Sequence, residues 1–218
     1  MCWNKEVSLN TFLFSGFVLL LIYYNNTYTK YTVAEFNSIW VYLFFCSFIF
    51  MQLIEYFIWK NINNAFYNSL YSILAVILII IQPIVSLMLL HNTTFRWRMI
   101  ALYMLAVFPF CIYRFATKHV NTTISAMGHL KWNFLTDSTA YEPFYIMVWL
   151  FFFLFSLFYN QDYHGIIFGL AMLLIIVYNY AKDGSFGSMW CWIVNSIMIY
   201  YAVYLLIYLP FIEKYKLC

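Results

Sequence analysis

The stretch Phe48-Ile-Phe-Met-Gln-Leu-Ile-Glu-Tyr-Phe-Ile-Trp59 lies near the end of an apolar run that is long enough to cross a bilayer. It contains Gln52 and Glu55, and helical spacing puts both side chains on one face together with Trp59. A carboxyl group at membrane depth costs at least ~2.5 kcal/mol, so it usually faces the bundle interior and has a partner. The stretch therefore predicts a membrane helix that carries an acid toward the protein interior.

The composition excludes a soluble domain. The 218 residues are 66% hydrophobic, 24% aromatic and only 9% charged, whereas a soluble domain typically carries about 25% charged residues. The net charge of +3 is spread along the chain, without the basic stripe that marks a nucleic-acid-binding protein. The expected partner is the lipid bilayer, in a membrane that the sequence does not identify, and nucleic acid is not expected to bind.

The apolar runs predict an all-α fold, an integral membrane bundle of seven transmembrane helices that forms a single domain over residues 1–218. Pro83 should kink the third helix and release a backbone carbonyl one turn earlier. Arg98 and Arg114 bound the fourth helix, and both are expected to extend outward to the interface. The predicted helices cover residues 9–24, 37–59, 66–90, 99–113, 143–159, 163–181 and 186–211, and the only long polar connection covers residues 116–141.

Several polar or thiol groups are predicted to meet in one half of the bundle. Because successive helices alternate in direction, Glu55 near the end of the second helix lies toward the same side as the start of the seventh. Trp190, Cys191 and Asn195 occupy the first turns of that seventh helix, and Cys2 lies at the N-terminus. We therefore expect a polar pocket around Glu55 that opens toward the N-terminal side, the side of the membrane on which the first helix begins.

Three short motifs occur in order along the chain, namely Met1-Cys-Trp-Asn4, Gln52-Leu-Ile-Glu55 and Trp190-Cys-Trp192. Together they resemble an uncharacterised family of small bacterial and viral multipass membrane proteins. Members of that family begin Met-Cys-Phe/Trp-Ser and carry a glutamine-and-glutamate motif followed by tryptophan, then a late Trp-Cys-aromatic motif. Asn4 stands where the family usually has serine. The resemblance implies where a site lies and implies no reaction. The bias toward tyrosine, asparagine and isoleucine also resembles proteins from AT-rich genomes, such as those of giant viruses.

The polar residues allow three hypotheses. In the first, the protein binds or transports a small molecule, a cation or a proton, and Glu55 exchanges the proton or holds the cationic group. In the second, it is an intramembrane enzyme that acts on a lipid or another apolar substrate. In the third, it is a structural membrane component, as in a viral or organelle envelope, and a sealed, dry Glu55 would favour this role. The candidate ligand-binding residues are Gln52, Glu55, Trp59, Trp190, Cys191 and Asn195, and the catalytic candidates are Glu55, Cys2 and Cys191.

The cysteines and histidines give no recognisable metal site. Five cysteines without a C-x-x-C pair do not form a zinc ribbon or a dense disulfide framework. Cys2 and Cys191 are either inert thiols, a disulfide that joins the N-terminus to the seventh helix, or a nucleophile or metal pair assisted by His119 or His129. His119 and His129 are ten residues apart in the polar connection, a poor spacing for metal ligands, so both are expected at the surface.

The cofactor, the orientation and the oligomeric state are not determined by the sequence. No lysine lies in the middle of a predicted helix, so no retinal Schiff base is expected. Six basic residues fall on one side of the predicted bundle and five on the other, which gives no positive-inside orientation.

Overall fold

The computed structural model describes residues 4–134 and 142–216, which are mostly helical. The all-α class is therefore confirmed. A π-helical turn, Tyr204–Tyr208, joins the last two helices, and a short antiparallel hairpin of β1 (Thr122–Ile124) and β2 (Leu130–Trp132) follows the fourth. The helices are α1 (Lys5–Tyr28), α2 (Ile39–Lys60), α3 (Ala65–Leu87), α4 (Thr93–Thr117), α5 (Glu142–Tyr159), α6 (Tyr163–Tyr180), α7 (Phe186–Val194), α8 (Ile197–Val203) and α9 (Leu209–Lys216).

The chain is a multipass membrane protein. Within the described residues, five helical segments are long and apolar enough to cross a membrane, namely α1, α2, α3, α4 and the segment Phe186–Ile212. The apolar parts of α5 and α6, Phe144–Tyr159 and Gly165–Tyr180, are shorter. Multipass character is thus confirmed, and a span by each of seven helices stays a prediction because α5 and α6 fall below the usual spanning length.

Many large apolar side chains lie on the outer surface, and several polar side chains lie in the interior beside the apolar core. Leu105 is 74% exposed and Leu174 is 70% exposed, while Gln52, Glu55 and Gln82 are buried. Lipid stabilises the apolar side chains at the surface, and only protein partners can stabilise the polar side chains in the interior. This distribution fits the membrane environment that the composition predicts.

Polar side chains fix where the helices begin. The Asn4 side chain accepts the backbone N–H groups of Glu6 and Val7 at the start of α1, and Asn64 caps α3 in the same way. Asn92 caps α4, so this helix begins before the apolar run that the sequence analysis used to place it. The bundle is organised around α2, which packs against α1, α3 and α7, while α3 also contacts α4 and α5.

Pro83 lies inside α3, and the backbone carbonyl that it releases has a new partner. Proline has no N–H to give to the carbonyl of Ile79, one turn earlier. The indole Nε1 of Trp149, on α5, donates to that carbonyl oxygen at 2.8 Å. The hydroxyl of Tyr103, on α4, donates to the neighbouring carbonyl of Ile80 at 3.0 Å. The predicted release of a carbonyl is therefore confirmed, and the freed group joins α3 to α5.

The connection after α4 contains a hairpin that the sequence analysis did not predict. The Asn68 side chain, on α3, pairs with the backbone of Thr122 in both directions, each bond measuring 2.9 Å. The hydroxyls of Ser72 and Thr122 are 2.7 Å apart. Leu130 and Trp132 on β2 are buried, and β2 contacts α7. The hairpin therefore covers the N-terminal side of the bundle between α3 and α7.

Arg114 does not extend outward, so that prediction was wrong. The guanidinium is only 1% exposed and donates to the backbone carbonyl of Phe134 from Nε at 3.2 Å and also from one terminal nitrogen. The rings of Phe110 and Phe134 flank it at 5.8 and 5.6 Å. Residues that follow the hairpin fold back over the end of α4, and this return of the chain removes Arg114 from the interface. Arg98 is exposed, as expected.

The predicted continuous seventh helix is interrupted at Asn195. The amide nitrogen Nδ2 of Asn195 donates to the carbonyl of Cys191 at 2.8 Å, one turn earlier. The backbone N–H of Asn195 bonds instead to Trp192, three residues back. A side chain that takes the i−4 carbonyl competes with the helix backbone, and shorter i−3 bonds mark a tightened turn. As a result α7 ends at Val194 and α8 begins after the break.

Candidate functional site

Glu55 is the buried acid of the bundle interior. Its side chain is 2% exposed, and Oε2 accepts a hydrogen bond from Nε2 of Gln52 at 3.0 Å. The spacing of three residues along α2 places the two side chains on the same face. The structure thus brings Gln52 and Glu55 together inside the protein.

Residues of α7 and α3 complete the surroundings of Glu55. The Ser188 hydroxyl lies beside the Glu55 carboxyl group, and the Cys191 thiol is close to both Glu55 and Gln82. Asn195, one turn beyond Cys191, donates to the carbonyl of Phe48 on α2 at 3.2 Å. All these polar side chains are buried. We call this set the Glu55 cluster, and it consists of Gln52, Glu55, Gln82, Ser188, Cys191 and Asn195.

The Glu55 cluster contains more hydrogen-bonding atoms than its own members satisfy. Four buried oxygens form no hydrogen bond of regular length and angle within the described residues, namely Oε1 of Glu55, Gln52 and Gln82 and Oδ1 of Asn195. Two buried nitrogens are in the same condition, Nε2 of Gln82 and the indole nitrogen of Trp190. An unpaired buried polar group costs about 1–3 kcal/mol, so this concentration of unpaired atoms requires an explanation.

A cavity of about 360 Å³ lies beside the Glu55 cluster, between α3, α4, α5, α6, α7 and the hairpin. Gln82, Trp190 and Cys191 form part of its wall, and Trp132 of β2 forms another part. The rest of the wall consists mostly of aliphatic and aromatic side chains. The cavity lies toward the N-terminal side, since it is lined by the beginnings of α5 and α7 and by the end of α6.

The cavity is not centred on Glu55, in contrast to the pocket that the sequence predicts. Gln52, Glu55 and Asn195 lie behind the wall, outside the set of lining residues. Trp59 is partly buried against the apolar core and does not line the cavity either. Of the two tryptophans among the candidate ligand-binding residues, only Trp190 lines the cavity, and the acid is separated from the open space by neighbouring side chains.

The cysteine and histidine expectations have mixed outcomes. Cys191 is a buried free thiol, and Cys2 lies outside the described residues. His119 is exposed as expected, whereas His129 is only 5% exposed and packs edge-on against the ring of Tyr180 at 5.3 Å. The surface prediction for His129 was wrong because the hairpin folds onto the end of α6. No group of three or more His, Cys, Asp or Glu within the described ranges could hold a metal ion.

Asp183 joins the hairpin to the connection between α6 and α7. Its carboxylate accepts the backbone N–H of Met127 at 3.2 Å and the hydroxyl of Ser185 at 2.8 Å. Burial alone would raise the pKa of Asp183, but these bonds, with Ser125 and the nearby His129, lower it instead. Burial lowers the pKa of His129, and the Asp183 carboxylate opposes that shift in part. This contact holds the hairpin over the cavity.

Gln82 and Ser188 are the cluster members that the sequence analysis missed. Gln82 is a polar residue in an otherwise uncharged apolar run, a signal of the same kind as Gln52. Ser188 carried no such signal, because serine is common in membrane helices as a packing residue.

No family model, no curated protein and no solved structure matches the chain. The resemblance carried by the three motifs therefore stays a prediction.

Proposed function

We propose that this protein is a seven-helix membrane bundle whose Glu55 cluster binds a proton or a small cation. The observation that carries the proposal is the set of four buried oxygens without partners, one from a carboxyl group and three from amides. Carboxylate and amide oxygens are the ligands of hard cations. The unpaired atoms of the cluster comprise four acceptors and one donor, Nε2 of Gln82, and this excess of acceptors favours a positively charged or protonated occupant.

The interruption of the seventh helix supports the same function. In many transporters, ions and protons bind near the middle of the membrane where a helix is discontinuous, since unwound backbone offers carbonyl groups there. Asn195 lies at such an interruption, and its side chain bonds to Cys191 and to Phe48 of α2. An occupant held by Asn195 and Glu55 would therefore contact both α2 and α7.

The structural alternative is favoured by the sealed position of Glu55 and by the bond from Asn195 to α2. A cluster that only joined helices, however, would be expected to satisfy its own polar atoms, because a half-satisfied buried network is less stable than an apolar core.

An enzyme that used Cys191 would need a base or a cation beside the thiol. The nearest titratable group is the Glu55 carboxyl, which lies on the far side of the cavity wall from any substrate.

The test measures the thermal unfolding midpoint of the purified protein in detergent, with sodium, potassium or choline chloride at equal ionic strength and at several pH values. A ligand that binds only the folded state stabilises it according to its concentration and Kd. We expect sodium, potassium or protons to shift the midpoint, and Glu55→Gln to abolish that shift. Glu35→Gln, at an exposed loop position, is the matched control and should behave like the wild type.

Two results separate the alternatives. If Glu55→Gln responds to salt and pH in the same way as the wild type, the cluster has a structural role and the proposal fails. If the shift depends on Glu55, proton or cation flux into proteoliposomes distinguishes transport from binding. A flux that Glu55→Gln removes and Glu35→Gln retains would assign transport.

A further inference from the structure

We infer that the cavity between α3, α4, α5, α6 and α7 holds one acyl chain of a membrane lipid. Its volume of about 360 Å³ falls within the range of about 300–1,000 Å³ that is usual for ligand pockets. The inference is separate from cation binding at the Glu55 cluster, since it rests on the open space in front of the cluster. Side chains from five helices line this space, including Ile79, Val107, Leu150, Leu173, Ile176 and Trp190.

The chemistry of the wall selects an apolar occupant. Gln82 and Trp190 belong to the wall, but their polar nitrogen and oxygen atoms are buried beneath its surface. An occupant of the cavity therefore meets carbon almost everywhere. A charged or strongly polar group would lose its hydration there without gaining a hydrogen bond, so the head group of a lipid would remain outside while one chain entered.

The size of the cavity and the surroundings of the protein identify the chain. Protein interiors contain few voids larger than a water molecule, and an apolar space loses dispersion contacts if it is empty. The outer faces of the helices are apolar and lie in the bilayer, where acyl chains are the most abundant apolar groups. A flexible chain can also adapt to a wall that combines flat rings, such as Trp132 and Phe134, with branched aliphatic side chains.

The hairpin and the start of α7 form part of the cavity wall toward the N-terminal side. Trp132 and Phe134 line one part of it, and Phe186 and Gly187 line another. The hairpin is held in place by its bonds to Asn68 and by the contact with Asp183. An acyl chain in the cavity would therefore contact a wall that is built in part from the hairpin.

The test uses a phosphatidylcholine that carries a photoactivatable diazirine in one acyl chain. The protein is reconstituted in vesicles that contain this lipid, irradiated and digested, and the labelled peptides are identified by mass spectrometry. We expect label on Trp190 or Cys191 themselves within the α7 peptide, since these two residues are buried from bulk lipid but line the cavity. An α7 peptide without label in the wild type would overturn the inference.

Two neighbouring residues of α6 provide matched variants. Leu173 lines the cavity, whereas Leu174 is exposed on the outer face. Leu173→Trp should fill the space and reduce labelling of α7 several-fold, while Leu174→Trp should leave it unchanged. If Leu173→Trp does not fold, Val107→Phe tests the same space from α4. Equal labelling in filled and control variants would refute the inference, and so would labelling by a diazirine sterol alone.

Discussion

Trp149→Phe should destabilise the protein because it removes the donor that serves the carbonyl released by Pro83. The replacement keeps an aromatic ring against Phe153, on which Trp149 stacks with ring centroids 4.9 Å apart, but it deletes the bond to the carbonyl of Ile79. An unpaired buried carbonyl costs about 1–3 kcal/mol. We therefore expect a loss of that order in the free energy of unfolding, measured by denaturation in mixed micelles.

A double-mutant cycle with Pro83→Ala tests the physical reason. Alanine restores the N–H at position 83, which can then bond to the carbonyl of Ile79 as in a regular helix. In that background the donor of Trp149 is redundant, so Trp149→Phe should cost less than it does with proline present. Cycles between hydrogen-bonding residues in membrane helices give couplings of about 0.6 kcal/mol on average and up to about 1.7 kcal/mol, and we expect a value in that range.

Tyr103→Phe supplies the control for this cycle. Tyr103 also donates to a carbonyl of α3, that of Ile80, but Ile84 keeps an N–H that can serve the same group along the helix. Tyr103→Phe should therefore lower the free energy of unfolding by the same amount whether residue 83 is proline or alanine. If Trp149→Phe is equally costly in both backgrounds, the release of the carbonyl by Pro83 does not explain the bond, and the reasoning is refuted.

Two further predictions concern the end of α4 and the hairpin that follows it. Arg114→Met should lower the free energy of unfolding by about 1.5–3 kcal/mol, since it removes charged hydrogen bonds to the carbonyl of Phe134. Arg98→Met, at an exposed position, should change that free energy little. Equal losses in the two variants would contradict the buried arrangement of Arg114. Burial lowers the pKa of His129 in the folded state. The neutral imidazole therefore contributes its full stabilisation above the unfolded-state pKa, near 6.5, and loses it as the pH falls through the lower folded-state pKa. In a Glu55→Gln background, His129→Gln should therefore flatten the fall in melting temperature as the pH drops below about 6.5, and an unchanged slope would count against a buried neutral imidazole.

The helices could be predicted from the sequence because lipid imposes a simple rule on them. A run of apolar residues that spans the hydrocarbon core must satisfy its backbone internally, so hydropathy locates the spans. The same rule indicates that Gln52 and Glu55 turn inward, since polar side chains at that depth need protein partners. These inferences require only the local sequence and the thickness of a membrane.

The remaining features depend on contacts between distant parts of the chain. Arg114 is buried because Phe134 returns to the end of α4, and His129 is buried because the hairpin meets Asp183 and Tyr180. Hydropathy cannot report such pairings, since each residue taken alone fits an interfacial position. The break at Asn195 is of the same kind, because an asparagine in an apolar run is compatible with either a continuous or an interrupted helix.

The two departures from regular helix geometry adjoin the Glu55 cluster, and this coincidence bears on function. Pro83 follows Gln82 directly, and Asn195 is itself a cluster member at the end of α7. Each departure replaces a regular backbone hydrogen bond at membrane depth by one from a side chain, from Trp149 to Ile79 and from Asn195 to Cys191. Stability alone would favour uninterrupted helices, and proteins break such local rules mainly at functional sites. Two interruptions around one buried carboxyl group, together with four unpaired oxygens, therefore support the proposed binding of a proton or cation over a role in helix packing alone.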